Sequence, residues 1–326
     1  MKRSLKTLAG LVGGAMLSAS ASAYDSMYIF GDSLSDTGNA QAFLAPQGIN
    51  LPARFSNGPV AVDIIAGAYG LSATPSLFLF GQEFGNNYAV GGAVALDADG
   101  DDNNVTDTNL SSQVNAYLAY NGFQSSPTAL YAVIIGGNDL FAAQEIRAAS
   151  VAEDDGAIRQ DIRKAAEARV SAAVQSVEAQ LMKLVGTGAR NLLVASAPDV
   201  AAVPASLNAS AGLKALADDD QEATRAGKFL KYTSLLTAQY NEELAAAVAR
   251  VEALAGIDII EWDLESYLNN QVEDAALNGY TNSTSGCIED LSNLPACDGY
   301  VFFDTVHPTT AVHTTAGMEV IQLLQQ

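Results

Sequence analysis

Short apolar runs rich in β-branched and aromatic residues alternate along the chain with longer stretches whose apolar positions recur every three or four residues. Met27 to Phe30, Tyr131 to Ile135, Leu192 to Ala195 and Ile257 to Ile260 read as strands. Ile162, Ala166, Val170, Val174, Val177, Leu181 and Leu184 fall on one face of a helix that Gly186 and Gly188 bring to an end before the third strand. Leu236, Tyr240, Leu244, Val248 and Val251 repeat the pattern, with Gly256 as the stop before the fourth. Two successive helix-to-strand units joined by short glycine turns predict an α/β fold with one doubly wound parallel sheet. No linker, repeat or low-complexity tract divides residues 24–326, which are expected to form a single domain.

The first 23 residues depart from this grammar. Lys2, Arg3 and Lys6 precede an apolar stretch from Leu8 to Leu17 and the small residues Ala21-Ser22-Ala23, the pattern of a cleaved secretory signal. That stretch is too short to span a bilayer, and no later segment has 18 uninterrupted apolar residues, so a soluble, secreted or periplasmic protein without a stable membrane anchor is expected. Its 37 acidic residues outnumber 16 Lys and Arg, giving a formal charge of -21 and a pI near 4.2. Such a surface repels nucleic acid and anionic membranes, so any lipid chemistry must rely on apolar contact. Twelve of the 16 cations lie between Arg147 and Arg250.

Export also gives the cysteines a meaning. Cys287 and Cys297 enclose nine residues that include Asn293 and Pro295, and are read as a disulfide stapling a loop. With only His307 and His313 to add, a metal site is not expected. Asp97 to Asp107 carries acids at alternate positions, but Gly100 and Thr108 stand fourth and twelfth, out of place for an EF-hand, so a solvated loop is preferred to a calcium site.

Candidate chemistry begins where the first strand ends, at Gly31-Asp32-Ser33-Leu34-Ser35-Asp36. The C-terminal ends of parallel strands are where open α/β sheets bind ligands, and a helix starting near Ser33 would aim free amides at an oxyanion. Near the other end stands Asp304-Thr305-Val306-His307-Pro308. At this spacing Asp304 can orient the His307 ring, leaving its other nitrogen to take a serine proton. His313, without such company, reads as structural. Oxyanion donors could come from Gly91 and Gly92, within Asn86 to Ala93, and from Gly136-Gly137-Asn138-Asp139 after the second strand. Together these segments make up an acyl-transfer set.

These four segments, in this order, resemble the four sequence blocks of the SGNH, or GDSL, hydrolase family. Arg54 to Pro59, Ala197-Pro198-Asp199, Asn241 with Leu244, Tyr280-Thr281-Asn282 and Cys287 extend the likeness to its lipase, phospholipase and haemolysin-like branch. The resemblance implies a flavodoxin-like sheet with helices on both faces and no cofactor. It implies Ser33 as nucleophile, His307 as base and Asp304 as its orienting partner. The oxyanion hole would comprise the Ser33 amide, Gly92 (with Gly91 the alternative) and the Asn138 side chain. The expected activity is serine ester hydrolysis of acyl esters or lipids. A phospholipase or acyltransferase using the same site is the alternative, and a decayed lipid- or carbohydrate-binding protein a more distant one. The G-x-S-x-G elbow of the larger α/β-hydrolases is missing. With 19 residues after His307, a C-terminal membrane β-barrel of the kind some relatives carry is not expected. Nothing in the sequence specifies an oligomeric state.

Overall fold

The computed structural model describes residues 24–97, 107–288 and 297–326. Its central sheet holds four parallel strands side by side in chain order: β1 (Met27–Gly31), β2 (Leu130–Ile134), β3 (Asn191–Ala195) and β4 (Ile260–Trp262). The register sets Met27 against Leu130, Leu130 against Asn191, and Leu193 against Ile260. The extended segment 86–90 runs parallel to β1 along its other edge. Ile29 N–H donates to the Asn86 carbonyl at 3.1 Å, Tyr88 N–H to that of Ile29 at 2.7 Å and Val90 N–H to that of Gly31 at 3.1 Å. With that segment counted, the spatial order is 2-1-3-4-5, the flavodoxin-like arrangement.

Alternation across the strands divides the interior into two cores. Phe30, Tyr131, Val133, Leu192 and Val194 enter one, and Met27, Ile29, Leu130, Ala132 and Leu193 the other. The described helices are α1 (Asn39–Leu44), α2 (Ala61–Ala68), α3 (Leu110–Tyr120), α4 (Gly137–Ala148), α5 (Gly156–Thr187), α6 (Pro204–Leu216), α7 (Asp220–Ala226), α8 (Phe229–Ala255), α9 (Leu264–Glu273) and α10 (Thr310–Leu323). Residues of α3, α4, α5 and α8 line the first core, and those of α2, α9 and α10 the second. None of these helices is long and apolar enough to cross a membrane.

The long helix α5 forms where the three-and-four spacing places it. Asp155 caps it by accepting from Ala157 and Ile158 N–H, and Val170, Val174, Val177, Leu181 and Leu184 are buried along one stripe. Truncating one of those leucines to alanine would cost about 2 to 5 kcal/mol. Two boundaries differ from the sequence reading by more than a residue. The fourth strand begins at Ile260, not Ile257, because residues 257–259 carry the chain from the left-handed Gly256 up to the sheet, and Ile259 N–H is spent on Glu252 Oε1 at 2.7 Å. No helix starts at Ser33: the chain makes a turn closed by Ser35 and Asp36 N–H on the Asp32 carbonyl, and the first helix waits until Asn39.

A second, two-stranded sheet pairs β5 (Asn282–Gly286) with β6 (Tyr300–Phe302). Cys287 N–H continues it by donating to the Phe302 carbonyl at 3.0 Å, and Cys287 is bridged to Cys297 with the Cα atoms 5.5 Å apart. The bridge joins the end of β5 to the approach of β6, which leads directly to Asp304. The protein should therefore take up two alkyl groups only after reduction under denaturing conditions, as mass spectrometry would show. Opening this short loop should cost about 2 to 4 kcal/mol, read as a lower Tm in reductant. Alkylation of both cysteines without reductant would contradict the bridge.

Candidate active site

Gly31 is where β1 gives way to the turn that carries Ser33. A Cβ at this glycine would sit 2.2 Å from the Ile134 carbonyl oxygen, so only glycine lets β1 end this close to β2. Ser33 is nearly buried, and its Oγ lies 2.7 Å from His307 Nε2. His307 Nδ1 lies 2.7 Å from Asp304 Oδ2, while Asp304 Oδ1 accepts the backbone N–H of Val306 and His307, each at 2.7 Å. Burial alone would raise the Asp304 carboxyl, but bonds from His307 and from these amides outweigh it and hold it below its ordinary value. An ionised carboxylate can only accept, so Nδ1 carries the proton and Nε2 is left to accept from Ser33 O–H. The Phe55 ring lies against the imidazole, centroids 5.1 Å apart. Ser56 Oγ donates to the Pro308 carbonyl at 2.9 Å and Thr310 N–H to Asn57 Oδ1, so the loop before α2 pins the start of α10.

The two adjacent glycines separate by their partners. Gly91 N–H donates to Asp36 Oδ2 at 2.8 Å, and a Cβ there would strike the Phe55 ring at 2.4 Å. Gly92 has φ of 84°, open space where a Cβ would be, and no hydrogen bond on its N–H among the described residues. Asn138, in the first turn of α4, lines the same cavity as Ser33 and His307 and donates one amide hydrogen to the Ala93 carbonyl at 2.8 Å. Its neighbour Asp139 accepts Ala95 N–H at 2.6 Å and Leu96 N–H at 3.2 Å, with Arg169 at 3.6 Å. The start of α4 thus clamps the segment after Gly92 at three points. Neither the Asp36 bond nor the Asp139 clamp was legible in the sequence, where both aspartates look like turn residues.

Behind Ser33 an apolar cavity of about 50 Å³ runs between the sheet and α9 and α10, bounded by Phe141, Val200, Trp262, Leu264 and Val312. His313, read from sequence as structural, also lines it. Its Nδ1 accepts Ala61 N–H at 3.3 Å, and burial first, then the nearby His307, push it down to about 3, so it stays neutral. Among the described residues no three His, Cys, Asp or Glu side chains are arranged to hold a metal. Most of the Asp97 to Asp107 loop, at 98–106, lies outside the described residues; Asp97 accepts from Ser111 and Asp107 from Asn109.

The sequence model described as GDSL-like Lipase/Acylhydrolase matches residues 27–320. The chain is 31% identical over 207 residues to "Lipase 1" of Photorhabdus luminescens, covering 63% of this chain and 27% of that protein. It is 24% identical over 325 residues to "GDSL esterase/lipase APG" of Arabidopsis thaliana, covering 87% and 86%. The extracellular lipase of Streptomyces rimosus, a solved structure, aligns with a TM-score of 0.39 at 15% identity over 92% of this chain and 98% of that one. The chain spans less than half the length of the first three curated relatives it matches.

One acidic group beside Ser33 is poorly compensated. Asp32 is 3% exposed; burial pushes it up to about 7, against the Leu34 N–H bond and the pull of His307 and with a further push from Asp139. An acid raised in the folded state binds a proton that the unfolded chain has released, so stability falls as pH rises from about 4 to about 7. Asp32→Asn removes that loss while keeping an oxygen to accept Leu34 N–H. The variant should be as stable as the wild type near pH 4 and more stable near pH 8, by on the order of a few kcal/mol, read as equal Tm at the lower pH and a higher Tm at the upper. Parallel Tm curves for the two proteins across this range would refute the assignment.

Proposed function

Because the chain belongs to the GDSL-like lipase/acylhydrolase family, we propose that it is an exported serine ester hydrolase that cleaves acyl esters through an acyl-enzyme intermediate. The observation that carries this reading is the chain of two 2.7 Å hydrogen bonds from Asp304 through His307 to Ser33, ending at the mouth of an apolar cavity. In the proposed reaction His307 Nε2 takes the Ser33 proton as Oγ attacks the ester carbonyl. The negative charge that develops on the carbonyl oxygen is met by Ser33 N–H, Gly92 N–H and the second amide hydrogen of Asn138. Collapse expels the alcohol, which takes the proton from His307, and water activated by the same imidazole hydrolyses the acyl enzyme. Asp304, held ionised, stabilises the imidazolium in both halves.

The electrostatics suit this assignment of roles. Asp304 keeps its charge, His313 stays neutral, and Gly91 is already committed to Asp36, which leaves Gly92 as the glycine donor. The apolar cavity fits the acyl side of an ester, since it offers dispersion and water exclusion but few polar partners. Export is supported by the basic, apolar and small-residue order of the first 23 residues and by the Cys287–Cys297 bridge.

Ser33→Ala should lower hydrolysis of p-nitrophenyl esters by at least about a thousandfold while leaving the Tm nearly unchanged. Wild-type turnover in that variant would remove the mechanism. Asn138→Ala should lower kcat by about a hundredfold to a thousandfold with little change in KM, the loss of one donor felt in the transition state. Asn138→Asp, which preserves size but repels an oxyanion, should be at least as inactive. Near-normal turnover per folded molecule in either variant would return Asn138 to the single role of bonding the Ala93 carbonyl.

A further inference from the structure

Away from Ser33 a second cleft, of about 470 Å³, opens where the end of α4, the start of α5 and the α7–α8 corner meet. Arg147, Arg159, Arg163, Arg225 and Lys228 line it, and no aspartate or glutamate does. Five of the chain's 16 lysines and arginines therefore face one hollow in a protein of formal charge -21.

Part of this lining holds the loop between α4 and α5. Arg159 Nη1 donates to the carbonyls of Glu153 and Asp154, both at 2.7 Å, and Arg225 Nε donates to the Val151 carbonyl at 2.5 Å. The carboxylates in reach stand on the rim: exposed Asp154 lies 3.1 Å from Arg225, and Glu167 lies 3.5 Å from Arg163. Arg147 Nη1 also donates to Ser150 Oγ in this loop, so loop support accounts for where these arginines stand but not for their shared, uncompensated charge or for Lys228. Arg147 is half-buried over the Tyr232 ring, 4.3 Å from its centroid, and no carboxylate pairs with it or with Lys228 among the described residues. Burial first, and the neighbouring Arg163, make its charge costly.

Backbone charge adds to the same field. Gly156 opens the 32-residue α5, whose first amides Asp155 already caps, and Lys228 and Phe229 open the 27-residue α8, so it is the uncapped start of α8 that borders the cleft. The start of α8 has no side-chain cap and no acid in its first turn, and Lys228 stands at its cap, the reverse of the usual charge placement. An anion in the cleft would satisfy the amides and neutralise the lysine together.

We propose that this cleft is a binding site for a phosphoryl anion carrying two or more charges, of the size and charge of pyrophosphate. Several guanidinium forks facing one hollow suit tetrahedral oxyanions, which accept several N–H bonds at once. A single carboxylate would leave most of the positive charge uncompensated. The phosphoryl group could belong to a soluble anion or to a lipid headgroup, and the site is independent of ester hydrolysis.

The test is calorimetric titration of the whole mature protein with inorganic pyrophosphate at low ionic strength, alongside potassium chloride of matched ionic strength. Saturable binding of one pyrophosphate per chain is expected, weakened about tenfold or more by Arg147→Gln and by Lys228→Gln. The exposed Lys228 guards against an Arg147 variant that disturbs the Tyr232 packing. Ester hydrolysis by both variants should equal that of the wild type. Co-sedimentation with phosphatidylcholine vesicles containing phosphatidic acid, displaced by pyrophosphate, would identify a headgroup source, and pyrophosphate binding without co-sedimentation a soluble one. Heats no larger than those of chloride, or wild-type affinity in both variants, would overturn the proposal.

Discussion

A single hydrogen bond of 2.7 Å, from Ser33 to His307, joins residues 274 positions apart in sequence, and the domain is arranged around keeping that contact. Closing so long a loop carries an entropic cost that one hydrogen bond does not repay. The contact persists because each partner is fixed separately. Ser33 follows β1, which has a parallel neighbour on both sides, and its turn starts where Gly31 presses against Ile134. His307 follows β6, which β5 and the disulfide brace, and the loop of Ser56 and Asn57 holds the chain just beyond it. Packing therefore delivers the two side chains to a distance at which hydrogen bonding is almost free.

Buried carboxylates do the remaining fixing, and they divide by how well they are compensated. Asp36 accepts four backbone N–H groups, from Gly38, Asn39, Ala40 and Gly91, and so ties the Ser33 turn to the glycine pair. Asp139 accepts two more from the segment after Gly92. Each gathers amides that would otherwise be unsatisfied in the interior, which offsets the cost of burying the acid. Asp32 has one such amide from Leu34, shares its surroundings with Asp139, and is pushed up to about 7 by burial. Burial raises all three carboxyls, but Asp36 and Asp139 tie separate segments together through several amides whereas Asp32 holds only its own turn.

How much could be read in advance follows from which features are local. The core-facing stripes of α5 and α8 and the apolar runs of β1, β2 and β3 are dictated by neighbours in sequence, and the sequence reading of them agrees with the structure. The segment 86–90 escaped notice as a strand because its pairing with β1 is set by distant residues, and its glycine pair drew attention to chemistry instead. The helix expected near Ser33 gives way to a turn, and Asp36 is taken by amides of α1 and Gly91, contacts that the local sequence does not reveal. His313, structural in the sequence reading, is buried and accepts Ala61 N–H, though no residue adjacent in sequence could reveal that it lines the cavity. The crowding of cations between Arg147 and Arg250 was visible, but only folding shows that Arg147, Arg159, Arg163, Arg225 and Lys228 share one hollow.

The candidate oxyanion donors show why the supporting bonds matter as much as the donors. A hydrogen bond accelerates a reaction only if its donor is already in place when charge develops, since reorganisation at that moment would consume the gain. Gly92 lies in a turn, the least rigid kind of element, and its left-handed backbone offers no side chain for packing to hold. It is flanked instead by fixed points. Asp36 holds the amide immediately before it, and Asn138 and Asp139 hold the carbonyl and amides just after it. In the proposed reaction Asn138 would serve with both hydrogens of one amide group, one bonding the Ala93 carbonyl and the other meeting the oxyanion. Removing it would take away a donor and loosen its neighbour together, so the loss in turnover should fall toward the upper end of the range for a single oxyanion donor.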